Sequence, residues 1–364
     1  MQLSETLETY LQRASRGLQI KIRNSIELIR KAEKLALLYD SENGFWLGFS
    51  GGKDSQTLMH LTQLAGVCFK AYFSPTSVDP PQVIRFIREN YPEVTFTKLK
   101  TSIYKMMQKK KCLPSQRIRW CCAEFKEKGG EGKVTLVGVR KAESVKRSKR
   151  KDIEVSGHKF SGNLEQFEQW SAEKRAKKMK RAQFDEFSEH TEQMVTCVGG
   201  KDKIVVSPIL GWSDADVWEF LNKVVQVPHC SLYDEGRTRI GCIMCPMSTS
   251  RQQRADAKRF PHVYEKWVQA IMQLRKDTAI GGGAIIFTRR NTPNSAPPNG
   301  ELNQFRATRL YPGQRGGGLH SEEEERLIAE NIIDWWMSKK SYKQWYREKY
   351  EYRDLFENIN NEKE

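Results

Sequence analysis

The stretch Phe45-Trp-Leu-Gly-Phe-Ser50-Gly-Gly-Lys-Asp-Ser55-Gln-Thr-Leu-Met-His60-Leu decides the fold. Phe45 to Phe49 is a short apolar run that reads as a buried strand, and Gln56 to Leu64 reads as a helix. The six residues between them suit a phosphate. Gly51 and Gly52 allow close backbone approach and positive φ, and the exposed N–H groups and dipole at a helix start attract anions. Ser50 and Ser55 offer hydroxyl donors and Lys53 a positive charge. Asp54 is repelled by a phosphate, so it is expected either to cap the helix or to help hold Mg²⁺. The loop is not a Walker A: only three residues separate Gly48 from Gly52, and Asp54 stands where Ser or Thr is required.

Outward from this loop the pattern alternates. Apolar residues at helical spacing between Leu7 and Tyr39 (Ile22, Ile26, Ile29, Leu35, Leu37, Leu38) predict one or two amphipathic helices. Strands are expected over Val67–Phe73, Val94–Leu99, Val134–Val139 and Lys203–Leu210, and helices over Gln82–Asn90 and Ser102–Lys110. A further helix is expected after Ser213 as N-cap, another over Pro261–Leu274, and a helical tail over Ser321–Tyr350. Such β–α alternation builds a doubly wound, mostly parallel α/β sheet. The expected organisation is an N-terminal helical segment (1–40), an α/β domain (41–250) with a basic insertion at about 141–200, and a C-terminal helical region (251–364). A Gly/Pro-rich loop at about 291–318 interrupts the last of these.

Of the 364 residues 29% are charged and 38% hydrophobic, which fits a soluble chain with a broad solvated surface. The Met1–Tyr10 stretch has no basic start and apolar run, and no segment nears the roughly 20 apolar residues of a membrane span, so a cytoplasmic protein without membrane contact is expected. The net charge of +16 favours polyphosphates and nucleic acid as partners, or else marks a merely solvated lysine-rich surface. Lys141 to Gln183 alone carries a net +7.

Eight cysteines in a reducing compartment point to metal binding or catalysis for any that cluster. Cys121-Cys122 and Cys242-Ile-Met-Cys245 supply the four thiolates that a [4Fe–4S] cluster needs. Zinc is the alternative, though its usual ribbon has Cys-x₂-Cys in both halves, and unligated buried cysteines are the bland one. Arg117, Arg119, Arg237 and Arg239, just ahead of the two pairs, suit either ligand phosphates or the negative charge of a thiolate cluster. Cys68 is expected to pack in a strand; Cys112, Cys197 and Cys230 read as buried or bystander residues.

Ser50 to Ser55 resembles the PP-loop of the adenine-nucleotide α-hydrolase superfamily, which contains PAPS reductases and ATP pyrophosphatases. Val137-Gly-Val-Arg140 with Glu143-Ser144 resembles that family's Gly-hydrophobic-Arg element. The stretch Pro208–Phe220, and Leu232-Tyr-Asp-Glu-Gly236 before the second cysteine pair, extend the likeness over roughly Phe45 to Ser248. The resemblance implies that Ser50, Gly51, Gly52, Lys53, Asp54, Ser55 and Arg140 hold ATP or a related nucleotide, with Lys53, Asp54 and Arg140 catalytic. It implies Cys121, Cys122, Cys242 and Cys245 as ligands of a [4Fe–4S] cluster.

The spacing of 120 positions between Cys122 and Cys242 is longer than the family pattern, and the basic segment accounts for it. The reductases carry a nucleophilic cysteine in a C-terminal Glu-Cys-Gly-Ile/Leu-His motif; here no cysteine follows Cys245, and His320 follows Gly-Gly-Leu with Gly318 in the motif's place. The expected activity is therefore that of an ATP pyrophosphatase activating an acceptor for sulfur incorporation, resembling the DNA phosphorothioation enzymes of the Dnd and Ssp systems. Its partners would be DNA and a sulfur donor such as a cysteine desulfurase; a tRNA acceptor and a homo-oligomer stay open. The alternatives are PAPS or adenylyl-sulfate reduction through another cysteine such as Cys230, and a non-catalytic nucleotide- or DNA-binding regulator.

Overall fold

The computed structural model describes residues 6–116, 118–156, 181–184, 196–197, 204–280, 321–340, 344–345 and 347–351. Most of the basic segment, the Gly/Pro-rich loop 291–318, Arg117 and His320 lie outside the described residues. The chain divides into two compact units. One comprises 1–75, 79–99 and 123–241; the other comprises 76–78, 100–122 and 242–364.

The first unit is built on helices α1 (Leu7–Gln12) and α2 (Arg16–Tyr39), strand β1 (Phe45–Gly48), α3 (Lys53–Ala65), β2 (Phe69–Phe73), α4 (Pro81–Asn90) and β3 (Thr95–Phe96). Along α2, Ile22, Ile26, Ile29 and Leu35 are buried as their spacing requires, whereas Leu37 faces outward. The helix packs against α3, and their apolar faces close one side of the core.

Strands β4 (Val134–Leu136) and β8 (Ile204–Val206) complete a five-stranded parallel sheet in the order β3-β2-β1-β4-β8. From β8 three antiparallel strands extend it: β5 (Ile153–Ser156), β6 (Arg181–Phe184) and β7 (Thr196–Cys197). The class is the doubly wound, mostly parallel α/β fold expected. What the sequence pattern missed are β5, β6 and β7, all inside the basic segment expected at about 141–200, and β5 shows why. Its Glu154 is 1% exposed and paired with Arg150, so charges stand where alternation calls for apolar residues.

Cys68 also differs from expectation. β2 begins one residue later, the Cys68 carbonyl accepts from Phe45 N–H (3.0 Å), and the thiol is turned outward toward Glu42 O (3.5 Å). This edge needs glycine at 44 (φ +60°), because a Cβ there would fall 2.1 Å from the Cys68 carbonyl oxygen.

On the buried side of α3, His60 is fully enclosed. Its Nδ1 faces Gln63 Oε1 (2.9 Å) and its Nε2 faces Tyr91 Oη (3.1 Å), while Gln56 Nε2 donates to that same Oη (2.8 Å). The chain of donors closes only for a neutral ring that donates from Nδ1 and accepts from Tyr91. Burial, only partly offset by the Gln63 hydrogen bond, pulls the His60 pKa down to about 4. The unfolded chain therefore takes up a proton near pH 6.5 that the folded chain refuses until about pH 4. Stability is full above pH 6.5 and should fall by about 3 kcal/mol in total on acidification to pH 4. Urea midpoints of wild type and His60→Gln between pH 7.5 and 4.5 check this: the wild type should lose much more than the variant, and parallel losses would contradict it.

The second unit is helical: α5 (Ile103–Lys110), α9 (Ser250–Arg259), α10 (Pro261–Ile280) and α11 (Glu322–Ser338), with Cys121 and Cys122 contributed by α6 (Trp120–Phe125). Trp267 of α10 is 1% exposed, with Tyr104 and Trp336 rings at 5.0 and 5.4 Å. The indole of Trp336 donates to Pro114 O (2.6 Å), and buried Arg275 grips Glu325 through two nitrogens (2.6 and 3.1 Å).

Candidate functional site

Chain order puts β2 and β3 on one side of β1, and β4 and β8 on the other, so the winding reverses between β1 and β4. In parallel α/β sheets the crevice at such a reversal, outside the carboxyl ends of the strands, is where ligands bind. The loops that follow β1, β4 and β8 converge here. They bring Lys53 and Asp54, Arg140, and Asp214 into one ion cluster.

The loop after β1 is braced from within. Gly51 adopts φ +72°, and a Cβ there would press on Val83 and Ile87 of α4 at 3.0–3.1 Å, so glycine is required. Gly52 needs no such freedom: it is the extended N-cap of α3 with φ −91°. Ser55 Oγ donates to Gly52 O (2.8 Å) and accepts from Ser50 N–H (3.1 Å), which fixes the turn rather than reaching outward. Lys53 N–H donates to Tyr233 Oη (2.9 Å), and its ammonium, 3% exposed, donates to Thr238 O (3.1 Å).

The N-cap of α3 is Gly52, and Asp54, in the first turn, accepts at its Oδ1 from Arg140 Nε at 2.6 Å. The second arm of Arg140, Nη2, reaches Asp214 Oδ1 at 2.6 Å, and Lys53 Nζ lies 3.3 Å from the same oxygen. Burial lifts the Asp54 carboxyl above the ordinary value against the pull of Lys53 and Arg140. Burial also opposes the charges of Arg140 and Asp214, but Asp54 and Asp214 outweigh it at the guanidinium and raise its pKa, and Arg140 and Lys53 outweigh it at Asp214 and lower its carboxylate. Gly138 lets the Val137–Arg140 loop in, because a Cβ there would meet Asp54 O at 2.7 Å. Glu143 Oε2 accepts from Arg140 N–H (3.1 Å) and so fixes the far end of that loop.

Asp214 opens α8 (Asp214–Glu219), where Ser213 and Asp216 form the capping box and Asp216 also pairs with Lys21 (2.6 Å). Beside the loop lies a cavity of about 200 Å³ lined by Ser50, Trp46, Tyr72, Asp79, Lys126 and Thr135, among others. Trp46 and Tyr72 stack flat across β1 and β2, with centroids 3.4 Å apart.

The four cysteines lie together in the second unit. Cys122, as hydrogen-bond partner, together with burial and the nearby Cys242 and Cys245, drives the Cys121 thiol pKa upward. Thr76 Oγ1 lies 3.4 Å from Cys242 Sγ. The Cys242–Cys245 turn is held through Met244, whose φ is +55°. Its N–H donates to Asp256 Oδ2 (2.9 Å) and its carbonyl accepts from Gln253 Nε2 (2.9 Å). Both partners on α9 are essentially fully buried. Lys339 Nζ donates to Pro246 O (2.9 Å); burial pulls its pKa down to about 8, against the attraction of Cys245. Among the described residues no group of three or more His, Cys, Asp and Glu is gathered so as to hold a metal ion.

Sequence reasoning missed Asp214, Tyr233, and the pair Gln253 and Asp256. Asp214 reads only as a helix-start acid, and its partner Arg140 is 74 positions away. Cys230, the alternative nucleophile, is 0% exposed. Among the described residues no helix is long and apolar enough to cross a membrane.

Fold and loop together define a mostly parallel α/β domain with a glycine turn between its first strand and the following helix. Residues 44–248, over half the chain, match the phosphoadenosine phosphosulfate reductase domain, and the chain belongs to that family. It is similar to two uncharacterized proteins of Methanocaldococcus jannaschii. One, MJ0066, is 25% identical over 276 residues (72% of this chain, 46% of that protein), and the other, MJ0973, is 23% identical over 284 (75% and 58%). The chain thus spans about half the length of the curated relatives it matches. Among solved structures it is similar to Candida glabrata FMN adenylyltransferase (16% identity, 90% of this chain and 89% of that one, TM-score 0.39). It is also similar to the PAPS reductase of Candida auris (14% identity, 66% and 98%, TM-score 0.35).

Proposed function

We propose that the chain is a PP-loop ATP pyrophosphatase that activates an acceptor oxygen for replacement by sulfur, the acceptor being the DNA backbone. The observation that carries the reading is the convergence of buried Lys53 and Arg140 on a glycine turn at the helix start, beside a cavity of about 200 Å³. The base and ribose would lie against Trp46 and Tyr72, with the phosphates on the loop amides.

An acceptor oxygen bonds to the α-phosphorus as the bond to the β-phosphate oxygen breaks, and pyrophosphate leaves with that electron pair. Lys53, Arg140 and the loop N–H groups neutralise the charge gathering on it. Asp54 would hold Mg²⁺ against the phosphates once Arg140 turns to the nucleotide. The terminal sulfur of a persulfide from a donor such as a cysteine desulfurase then displaces AMP from the acceptor, and a thiol reductant cleaves the S–S bond, leaving as a disulfide with the donor cysteine and freeing the phosphorothioate. The net charge of +16 suits a DNA acceptor, because backbone phosphates are bound by lysine and arginine. Cys121, Cys122, Cys242 and Cys245 would hold a [4Fe–4S] cluster, which supplies one-electron transfer when bound. What supports that reading is four thiols in one neighbourhood, two of them on a turn clamped by buried side chains; against it, the described residues bring no three of them close enough to hold an ion.

A second reading, sulfonucleotide reduction, is favoured by the domain match. It needs an accessible nucleophilic thiol, and Cys230 is fully buried with its pKa pushed up by that burial. The test is anaerobic turnover of the full chain in two arms, ATP with and without DNA, and PAPS with thioredoxin. Pyrophosphate release stimulated by DNA is expected. Sulfite from the second arm would replace the proposal with reductase activity, and no product from either would leave a binding regulator.

A further inference from the structure

Four ionised side chains meet in one cluster at the loop, Lys53, Arg140, Asp54 and Asp214, and their formal charges cancel. A phosphate-binding loop gains from net positive charge, so this balance works against its ligand. The two carboxylates differ in how they are held. Asp54 is half-buried in the first turn of α3. Asp214 is 62% exposed, and Asp216 rather than Asp214 completes the cap of its helix. Its carboxylate touches both cations of the loop, on the side where water can receive it.

We propose that Asp214 is a displaceable counter-anion. In the absence of nucleotide it occupies the position that a phosphate oxygen takes between Lys53 and Arg140; it swings into solvent when phosphate binds and returns behind the departing pyrophosphate. The inference rests on the loop being a phosphate site. A site that is competent only when Asp214 is withdrawn shows an affinity reduced by that fraction. Asp214 thus sets how tightly the leaving product is retained.

Calorimetric titration of magnesium-free inorganic pyrophosphate into the full chain tests this. Asp214→Asn should bind about tenfold more tightly than wild type, and Asp214→Glu, which keeps the charge, should stay near wild type. Structural damage would weaken binding, so tightening has no structural explanation. Equal or weaker binding by Asp214→Asn overturns the inference while leaving the loop as a phosphate site. Absence of binding by wild type and variant alike removes the phosphate site itself, and the inference with it.

Discussion

Replacing Lys53 by methionine is expected to lower pyrophosphate release by about 10²–10³-fold, the usual cost of losing a preorganised charge at a developing anion. Methionine fills a similar volume in a site where the lysine is 3% exposed. Both carboxylates that Lys53 approaches keep Arg140 as a partner at 2.6 Å, so neither is stranded. The thermal midpoint should therefore change far less than the rate. Initial rates under anaerobic conditions, read beside a melting curve, check this. A loss smaller than tenfold would take the ammonium out of the chemistry.

Cys242→Ser should strip the protein of iron by about tenfold or more and bleach its brown colour, because a cubane cluster depends on all four thiolates. The position is not interchangeable with a free surface thiol. Met244, two residues on, is fixed in a left-handed conformation by Gln253 and Asp256, and Thr76 Oγ1 stands 3.4 Å from the sulfur. Iron and labile sulfide analysis with visible spectra of anaerobically purified wild type and variant decide the matter. A colourless wild type with one zinc would put a tetrahedral ion in place of the cluster.

The parts of this molecule legible in its sequence are those encoded in contiguous residues. Phe45 to Ser55 announces a strand, a glycine turn and a helix start, and Ser213 announces the N-cap that it provides. Arg140 could be singled out because Val137-Gly-Val-Arg140 with Glu143-Ser144 resembles a family element, and Gly138 and Glu143 both prove to shape its loop. What stayed hidden depends on chain segments far apart. Tyr233 reaches Lys53 across 180 positions, and Asp214 meets Arg140 only because β4 and β8 lie side by side. The strand at Ile153–Ser156 was masked because buried Glu154 is neutralised by Arg150, a pairing that hydrophobic periodicity cannot register. Asp54, expected either to cap the helix or to help hold Mg²⁺, has its partner supplied 86 positions later, where no local pattern could register it.

A crystal of the full chain soaked with magnesium and a non-hydrolysable ATP analogue tests the central claim most directly. The account predicts the β- and γ-phosphates over the N–H groups of Gly51 to Asp54, with Lys53 and Arg140 on their oxygens and Asp214 turned to solvent. Density for the analogue elsewhere, with the Arg140–Asp214 contact intact at saturating ligand, would contradict it.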